Sequence, residues 1–77
     1  MNSGLPAVNG RRVLRALQRA GFAVDRIAGS HHLLVHQDDP RLIVTVPVHG
    51  AHDLKPGTLR GIIRQAGLSV EEFRDLL

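Results

Sequence analysis

The stretch FAVDRIAGSHHLLVHQDDPRLIVTV, residues 22–46, decides the fold of this 77-residue chain. Its first half contains two runs rich in apolar and β-branched residues, 22–27 and 31–36, on either side of Gly29-Ser30. Such runs predict strands, and a short Gly-Ser connection between them predicts a tight turn. The pattern therefore predicts a β-hairpin.

A second turn and a third strand follow in the same stretch. Asp38, Asp39 and Pro40 predict the turn, because Asx residues and proline both favour turn geometry. The β-branched run 42–46 predicts a strand. Strands joined by connections this short pair antiparallel, so we expect a three-stranded antiparallel sheet.

Amphipathic helices are predicted before and after the sheet. The first begins after an N-cap at Asn9 and ends at Gly21. Its apolar stripe is formed by Val13, Leu14, Leu17 and Ala20. The second begins at Pro56 and ends at Gly67, and its buried stripe is formed by Leu59, Ile62, Ile63 and Ala66. The sequence Ser-Val-Glu-Glu at 69–72 is a capping box that opens a last short helix, with Phe73, Leu76 and Leu77 facing inward.

The element order α-β-β-β-α, with a short C-terminal helix, predicts an α+β fold. Two helices cover only one face of a sheet, so we expect a two-layer sandwich with the other face less protected. Residues 1–8 show no periodicity and are predicted to form a flexible lead-in. Residues 9–77 are predicted to form a single domain.

Composition narrows the function. The absence of Cys excludes disulfides and thiolate metal sites, and no apolar run reaches the roughly 18 residues of a membrane span. We therefore expect a cytoplasmic protein without membrane contact. Nine of the ten Lys and Arg residues are Arg, the net charge is +3, and residues 1–21 carry four Arg and no acid. The planar donor fork of arginine favours a phosphate-bearing partner, although a charged face also serves solubility alone.

Five His residues raise the question of a metal site. On one strand, His32 and His36 lie roughly 13 Å apart, too far to share an ion. His49 and His52 are close in sequence but lack a third ligand nearby. We therefore expect no metal and no cofactor. A Ser30–His31 hydrolytic pair is also disfavoured, because adjacent strand residues point to opposite faces and no partner acid is evident.

Gly29-Ser30-His31-His32 is the most promising chemical segment. A glycine turn allows a ligand to approach the backbone closely, and imidazole exchanges protons near neutral pH. From composition alone, however, the segment is more simply interpreted as a polar turn that carries incidental histidines.

Three stretches together resemble a known family, the HicA toxins, which are the small mRNA interferases of HicA–HicB toxin–antitoxin pairs. These stretches are residues 8–22, the Gly-Ser-His-His segment 29–32, and residues 44–68 with Lys-Pro-Gly-Thr-Leu. The resemblance implies a fold like a double-stranded-RNA-binding domain, ribonuclease activity on mRNA, and inhibition by a HicB-type antitoxin. It also implies that the histidine directly after Gly-Ser, His31, is catalytic, and it assigns no role to His32.

We further expect RNA contacts from one group of residues on the first helix, the Gly-Ser turn and the second helix. The group comprises Arg11, Arg12, Arg15, Gly29, Ser30, Lys55 and Arg60. The sequence supplies no clear second acid or base, and His49 is the nearest candidate. The chain has two Phe and no Tyr or Trp, so stacking of RNA bases on aromatic side chains is expected to be weak. Two alternatives remain at this point: a non-catalytic RNA-binding module of the same fold, and a domain that binds an acidic protein.

Overall fold

The computed structural model describes residues 4–77, in which three strands form one antiparallel sheet with the order β1-β2-β3. The strands are β1 (Phe22–Ala28), β2 (His31–His36) and β3 (Ile43–Pro47). Helix α1 (Gly10–Arg19) precedes the sheet, and α2 (Pro56–Gln65) and α3 (Val70–Asp75) follow it. The predicted element order is confirmed.

The Gly29-Ser30 connection forms the predicted hairpin turn. Gly29 has a φ of 59°, a left-handed conformation that side chains other than glycine rarely adopt. The turn pairs Ala28 with His31 and Ile27 with His32. Further along, a β-bulge between Val24 and Arg26 shifts the register by one residue.

Strand β3 begins and ends one residue later than the sequence predicts. Leu42 belongs to the turn, since its amide donates to the Asp39 carbonyl over 2.9 Å. At the other end, Pro47 pairs with His31. A proline is tolerated there because β3 is an edge strand with one side free of ladder hydrogen bonds.

The helices lie on one face of the sheet, as predicted, and cover β3, much of β2 and the Phe22 end of β1, while the rest of β1 is largely exposed. On that face Leu34, Val44 and Val46 have no exposed surface. Residues that alternate with them lie on the opposite face, which we call the open face, and there Ile43 is 47% exposed. Helix α1 contributes Val13, Ala16 and Leu17 to the core, α2 contributes Leu59, Ile62, Ile63 and Ala66, and α3 contributes Phe73.

Side-chain caps start two of the helices where the sequence predicts. The Asn9 carboxamide oxygen accepts a hydrogen bond from the Arg12 amide at 3.0 Å. At α3, Ser69 and Glu72 exchange both hydrogen bonds of a capping box, over 3.0 and 2.8 Å. These caps satisfy amides that have no acceptor within the helix.

Part of the expected lead-in packs onto the domain. Val8 is 1% exposed, its carbonyl accepts a hydrogen bond from the Leu54 amide at 2.9 Å, and Leu5 lies against the core. Apolar side chains at these positions explain the contact, because each removes surface from water. Residues 1–3 of the lead-in lie outside the described residues.

The order of elements and the single helix layer give the arrangement of a double-stranded-RNA-binding domain, with α3 added at the C-terminal side. Among residues 4–77, no helix has the length and apolar character needed to cross a bilayer.

Candidate functional site

His31 lies at the start of β2 on the open face of the sheet, and its side chain is exposed. With Arg26, Ala28, Leu33 and Thr45 it lines a hollow of about 250 Å³. The exposed His31 side chain in this hollow is accessible to a polymer, and Arg26 lines the same hollow. The hollow therefore brings a histidine and an arginine to the same part of the open face.

Arg26 and Thr45 were not predicted from the sequence, although one signal was available. A two-residue turn at Gly29-Ser30 sets the register of the hairpin, and this register pairs Arg26 with Leu33. Thr45 is the partner of Leu33 on the other side. Counting outward from the turn therefore finds Arg26, whereas Thr45 depends on the longer connection between β2 and β3.

His32 lies next to His31 but faces the helix layer, together with the core residue Leu34. It is half-buried, and its Nδ1 is enclosed without a hydrogen-bond partner among the described residues. Buried polar atoms normally have a partner. His32 is therefore a second imidazole with an unused ring nitrogen at the same end of the sheet.

His36 has a structural role. Its Nδ1 accepts a hydrogen bond from the Asp38 amide at 3.0 Å, so its Nε2 carries the proton and donates to the Ala20 carbonyl over 2.9 Å. The ring also meets Phe22 edge-on, with centroids 4.9 Å apart. His36 thereby connects the end of α1 to the hairpin.

The Gly29-Ser30 turn contacts the segment that leads into α2. The Val48 amide donates to the Ser30 carbonyl over 2.7 Å, and Pro47 is the register partner of His31. Pro47 also lines an open cavity of about 590 Å³ with Lys55. The structure thus brings the turn, His31 and Lys55 to one end of the molecule.

The predicted arginines of α1 lie elsewhere. Arg11, Arg12 and Arg15 are exposed on the helix layer, whereas His31 lies on the open face. Arg12 and Arg15 line a hollow of about 110 Å³ with Arg19 and Leu77. Arg60 is exposed on α2. The predicted RNA-binding residues therefore occupy two layers of the fold and not one continuous pocket.

Metal-ligating residues do not gather at this end of the molecule. Within residues 4–77, no three His, Asp or Glu side chains are arranged to hold a metal ion. His31 and His32 point to opposite faces of the sheet, and His36 already uses both ring nitrogens.

Comparison with known families identifies the chain. A family model described as the HicA toxin of bacterial toxin–antitoxin matches residues 10–68. The chain belongs to the HicA toxin family. The match begins at α1 and ends after α2, so it includes the sheet, the Gly-Ser-His-His segment and Lys55, and it leaves out α3. A comparison with curated proteins found no match.

Proposed function

We propose that this toxin is a metal-independent endoribonuclease that cleaves mRNA in the cytoplasm with a histidine of the Gly-Ser-His-His segment. The observation that carries the proposal is the accessible imidazole of His31, which directly follows the turn and shares a hollow with Arg26. Family membership supports a toxin of a toxin–antitoxin pair. The resemblance of the motifs supports the ribonuclease activity and a HicB-type antitoxin as the inhibitor.

RNA supplies its own nucleophile for such a reaction. The His31 imidazole takes the proton from a ribose 2′-hydroxyl, and the 2′ oxygen attacks the adjacent phosphorus. The bond from phosphorus to the 5′ oxygen breaks, and that oxygen takes up a proton. The products are a 2′,3′-cyclic phosphate and a 5′-hydroxyl.

Cations near the imidazole support the same step. Negative charge on the phosphoryl oxygens increases in the transition state, and a preorganised cation stabilises it. Arg26 lines the hollow of His31, and Lys55 lies at the same end of the molecule. The α1 arginines are suited to phosphates further along the RNA, because backbone contacts tolerate a wide surface.

His32 is the rival for the catalytic role, because it is the other histidine of the Gly-Ser-His-His segment. Its Nδ1 is enclosed and unpartnered, so neighbouring side chains must move before an RNA can reach this nitrogen. It also faces the layer that carries the α1 arginines. The assignment of His31 depends on the motif and on access, and it stays a prediction.

The decisive experiment incubates the purified chain with a defined RNA in excess EDTA. We expect cleavage by wild type, no cleavage by His31→Ala, and a milder loss in His32→Ala. Circular dichroism checks that both variants fold. The reverse order of the two losses transfers the catalytic role to His32, and dependence on a divalent ion contradicts the metal-independent mechanism.

The same assay separates the alternative function. A non-catalytic RNA-binding module binds the RNA without cutting it, so wild type that retains a gel shift but yields no fragments supports that alternative. An absence of both binding and cleavage supports a domain that binds an acidic protein.

A further inference from the structure

The segment between β3 and α2 forms a wall of the open cavity of about 590 Å³ introduced above. We call it the loop cavity; it is lined by Pro47, His49, His52, Asp53, Leu54, Lys55 and Thr58. We propose that the loop cavity binds one nucleotide of the RNA, holding its base against a histidine ring and its phosphate against Lys55. This inference rests on the proposed function and adds a base-selective subsite to it.

The cavity is held in shape by the domain. Hydrogen bonds tie the loop to the Gly29-Ser30 turn through Val48 and to the lead-in through Leu54. Asp53 forms an isolated bridge with Asn9, and the His52 amide donates to the His49 carbonyl over 3.2 Å. Because both ends and the middle are bonded, the cavity exists before any ligand arrives.

Aromatic surface is scarce in this chain, and the loop cavity holds much of what is accessible. Both Phe side chains are in the core, at 3% and 0% exposure, and the chain has no Tyr or Trp. The His36 ring is bonded on both nitrogens. His49 and His52 are exposed and line the cavity. Single-stranded bases stack on imidazole as they do on other aromatic rings.

The remaining lining residues match the other parts of a nucleotide. Pro47 and Leu54 are half-buried apolar surfaces on which a base can pack. The Lys55 ammonium supplies a charge for a phosphate, and the Thr58 hydroxyl is a donor and acceptor for a sugar or phosphate oxygen. The size of the cavity is within the range typical of small-ligand sites.

Asp53 gives the cavity a preference among bases. A carboxylate beside a phosphate is unfavourable, but it accepts hydrogen bonds from base amino groups, as aspartate does from cytosine N4. We therefore infer that bases with an exocyclic amino group bind more tightly than uracil. Asp53 determines which base is selected, whereas Lys55 binds every nucleotide alike.

The cavity adjoins the proposed catalytic group. Pro47 lines the cavity and pairs with His31 across the two strands. Paired residues of antiparallel strands lie about 4.5–5.5 Å apart between Cα atoms. A nucleotide in the loop cavity is thus the neighbour of the phosphate that His31 acts on.

The test uses the intact chain and NMR titration with the four nucleoside 5′-monophosphates, ribose 5-phosphate and inorganic phosphate. We expect shifts confined to residues 47–58, tighter binding of cytidine, adenosine and guanosine nucleotides than of uridine, and weaker binding still of ribose 5-phosphate and inorganic phosphate, which have no base. Shifts confined to the α1 arginines overturn the proposal. Equal affinity for ribose 5-phosphate and the nucleotides also overturns it.

Variants at exposed positions identify the individual contacts. His52→Ala should weaken nucleotide binding by about 5- to 150-fold, the loss expected for one stacked base, without changing the affinity for ribose 5-phosphate. His52→Phe keeps a ring and should restore nucleotide binding. Lys55→Gln should weaken all phosphate ligands, and Asp53→Asn should remove the discrimination against uridine. If His52→Ala binds nucleotides as wild type does, the stacking role is wrong.

Cleavage of RNA is measured separately on the same protein. Nucleotide binding without cleavage leaves the loop cavity in place and overturns the ribonuclease. Cleavage by a chain that binds no nucleotide in residues 47–58 supports the ribonuclease and overturns the loop cavity as a nucleotide site.

Discussion

At Gly10, the first residue of α1, any side chain meets the backbone at the end of β3. A Cβ there overlaps the Pro47 carbonyl oxygen and lies 3.0 Å from the Val48 Cα. Both are backbone atoms, so neither rotates away. The close approach of α1 to β3 therefore depends on a single absent methyl group.

We expect Gly10→Ala to destabilise the fold by about 1–3 kcal/mol, because overpacking forces the backbone to shift. The measurement is urea unfolding followed by circular dichroism. Gly61→Ala is the matched control: a Cβ there meets nothing within 4 Å, and the residue lies inside α2. The control should gain about 0.5–1 kcal/mol. A Gly10→Ala protein as stable as wild type contradicts the close packing.

At the scale of elements, the cap of α1 is a local contribution that can be measured. Asn9 accepts a hydrogen bond from the Arg12 amide, and no acidic residue lies in the first turn. Two arginines, Arg11 and Arg12, lie instead at this positive end of the helix, where cations are unfavourable.

Asn9→Ala should lower the free energy of unfolding by about 0.5–2 kcal/mol through loss of the cap. Asn9→Asp keeps an accepting oxygen and adds a negative charge at the helix start, so its stability should equal or exceed that of wild type. The measurement is the melting temperature of both variants and of wild type. Equal melting temperatures for Asn9→Ala and Asn9→Asp would mean that the cap contributes nothing.

The arginines of α1 differ in their contacts, and we expect two different roles for them. The Arg19 guanidinium donates to the Leu76 carbonyl over 2.6 Å and so ties α1 to the end of α3. Arg12 and Arg15 are exposed and line the neighbouring hollow. Arg19 is therefore expected to stabilise the fold, and Arg12 and Arg15 to bind phosphates.

Replacing both Arg12 and Arg15 by Gln should weaken RNA binding across unrelated sequences. The slope of log affinity against log salt concentration should become shallower by about 0.7–0.9 for each phosphate contact removed. The melting temperature should stay constant or rise, because repulsion between like charges is relieved. Arg19→Gln serves as the contrast and should lower the melting temperature. Unchanged affinity and salt slope in the double variant would transfer the RNA contacts to Lys55, Arg60 and Arg64.

At the scale of the whole molecule, two layers give a flat domain with Cα extents of 35 × 26 × 17 Å. All residues of its single core are apolar, and no polar or charged residue between 4 and 77 is buried. Such a small core leaves little reserve of stability. A substitution that removes a large part of this core is therefore expected to unfold the whole domain and not only one element of it.

Leu33 and Leu34 are adjacent leucines on opposite faces of the sheet, so substituting each of them tests whether only one face is packed. Leu34 is fully buried under the helices, whereas Leu33 is half-buried on the open face. Leu34→Ala should cost about 2–5 kcal/mol, the range for a truncated core leucine, and Leu33→Ala clearly less. Urea midpoints of the two variants provide the comparison. Similar losses in both would mean that the open face is as well packed as the covered one.

The sequence by itself determined the elements, because each depends on residues close together in the chain. The stripe of α2, the capping box at Ser69 and the turn at Gly29-Ser30 are local patterns, and the helices, the hairpin and the family followed from them. Tertiary structure decided which side chains share a surface. Pairing across separate strands put Thr45 in the hollow of His31 and made Pro47 both the register partner of His31 and a neighbour of Lys55 in the loop cavity. It also left Nδ1 of His32 enclosed without a partner. These contacts join residues far apart in the chain, and periodicity carries no information about such distances.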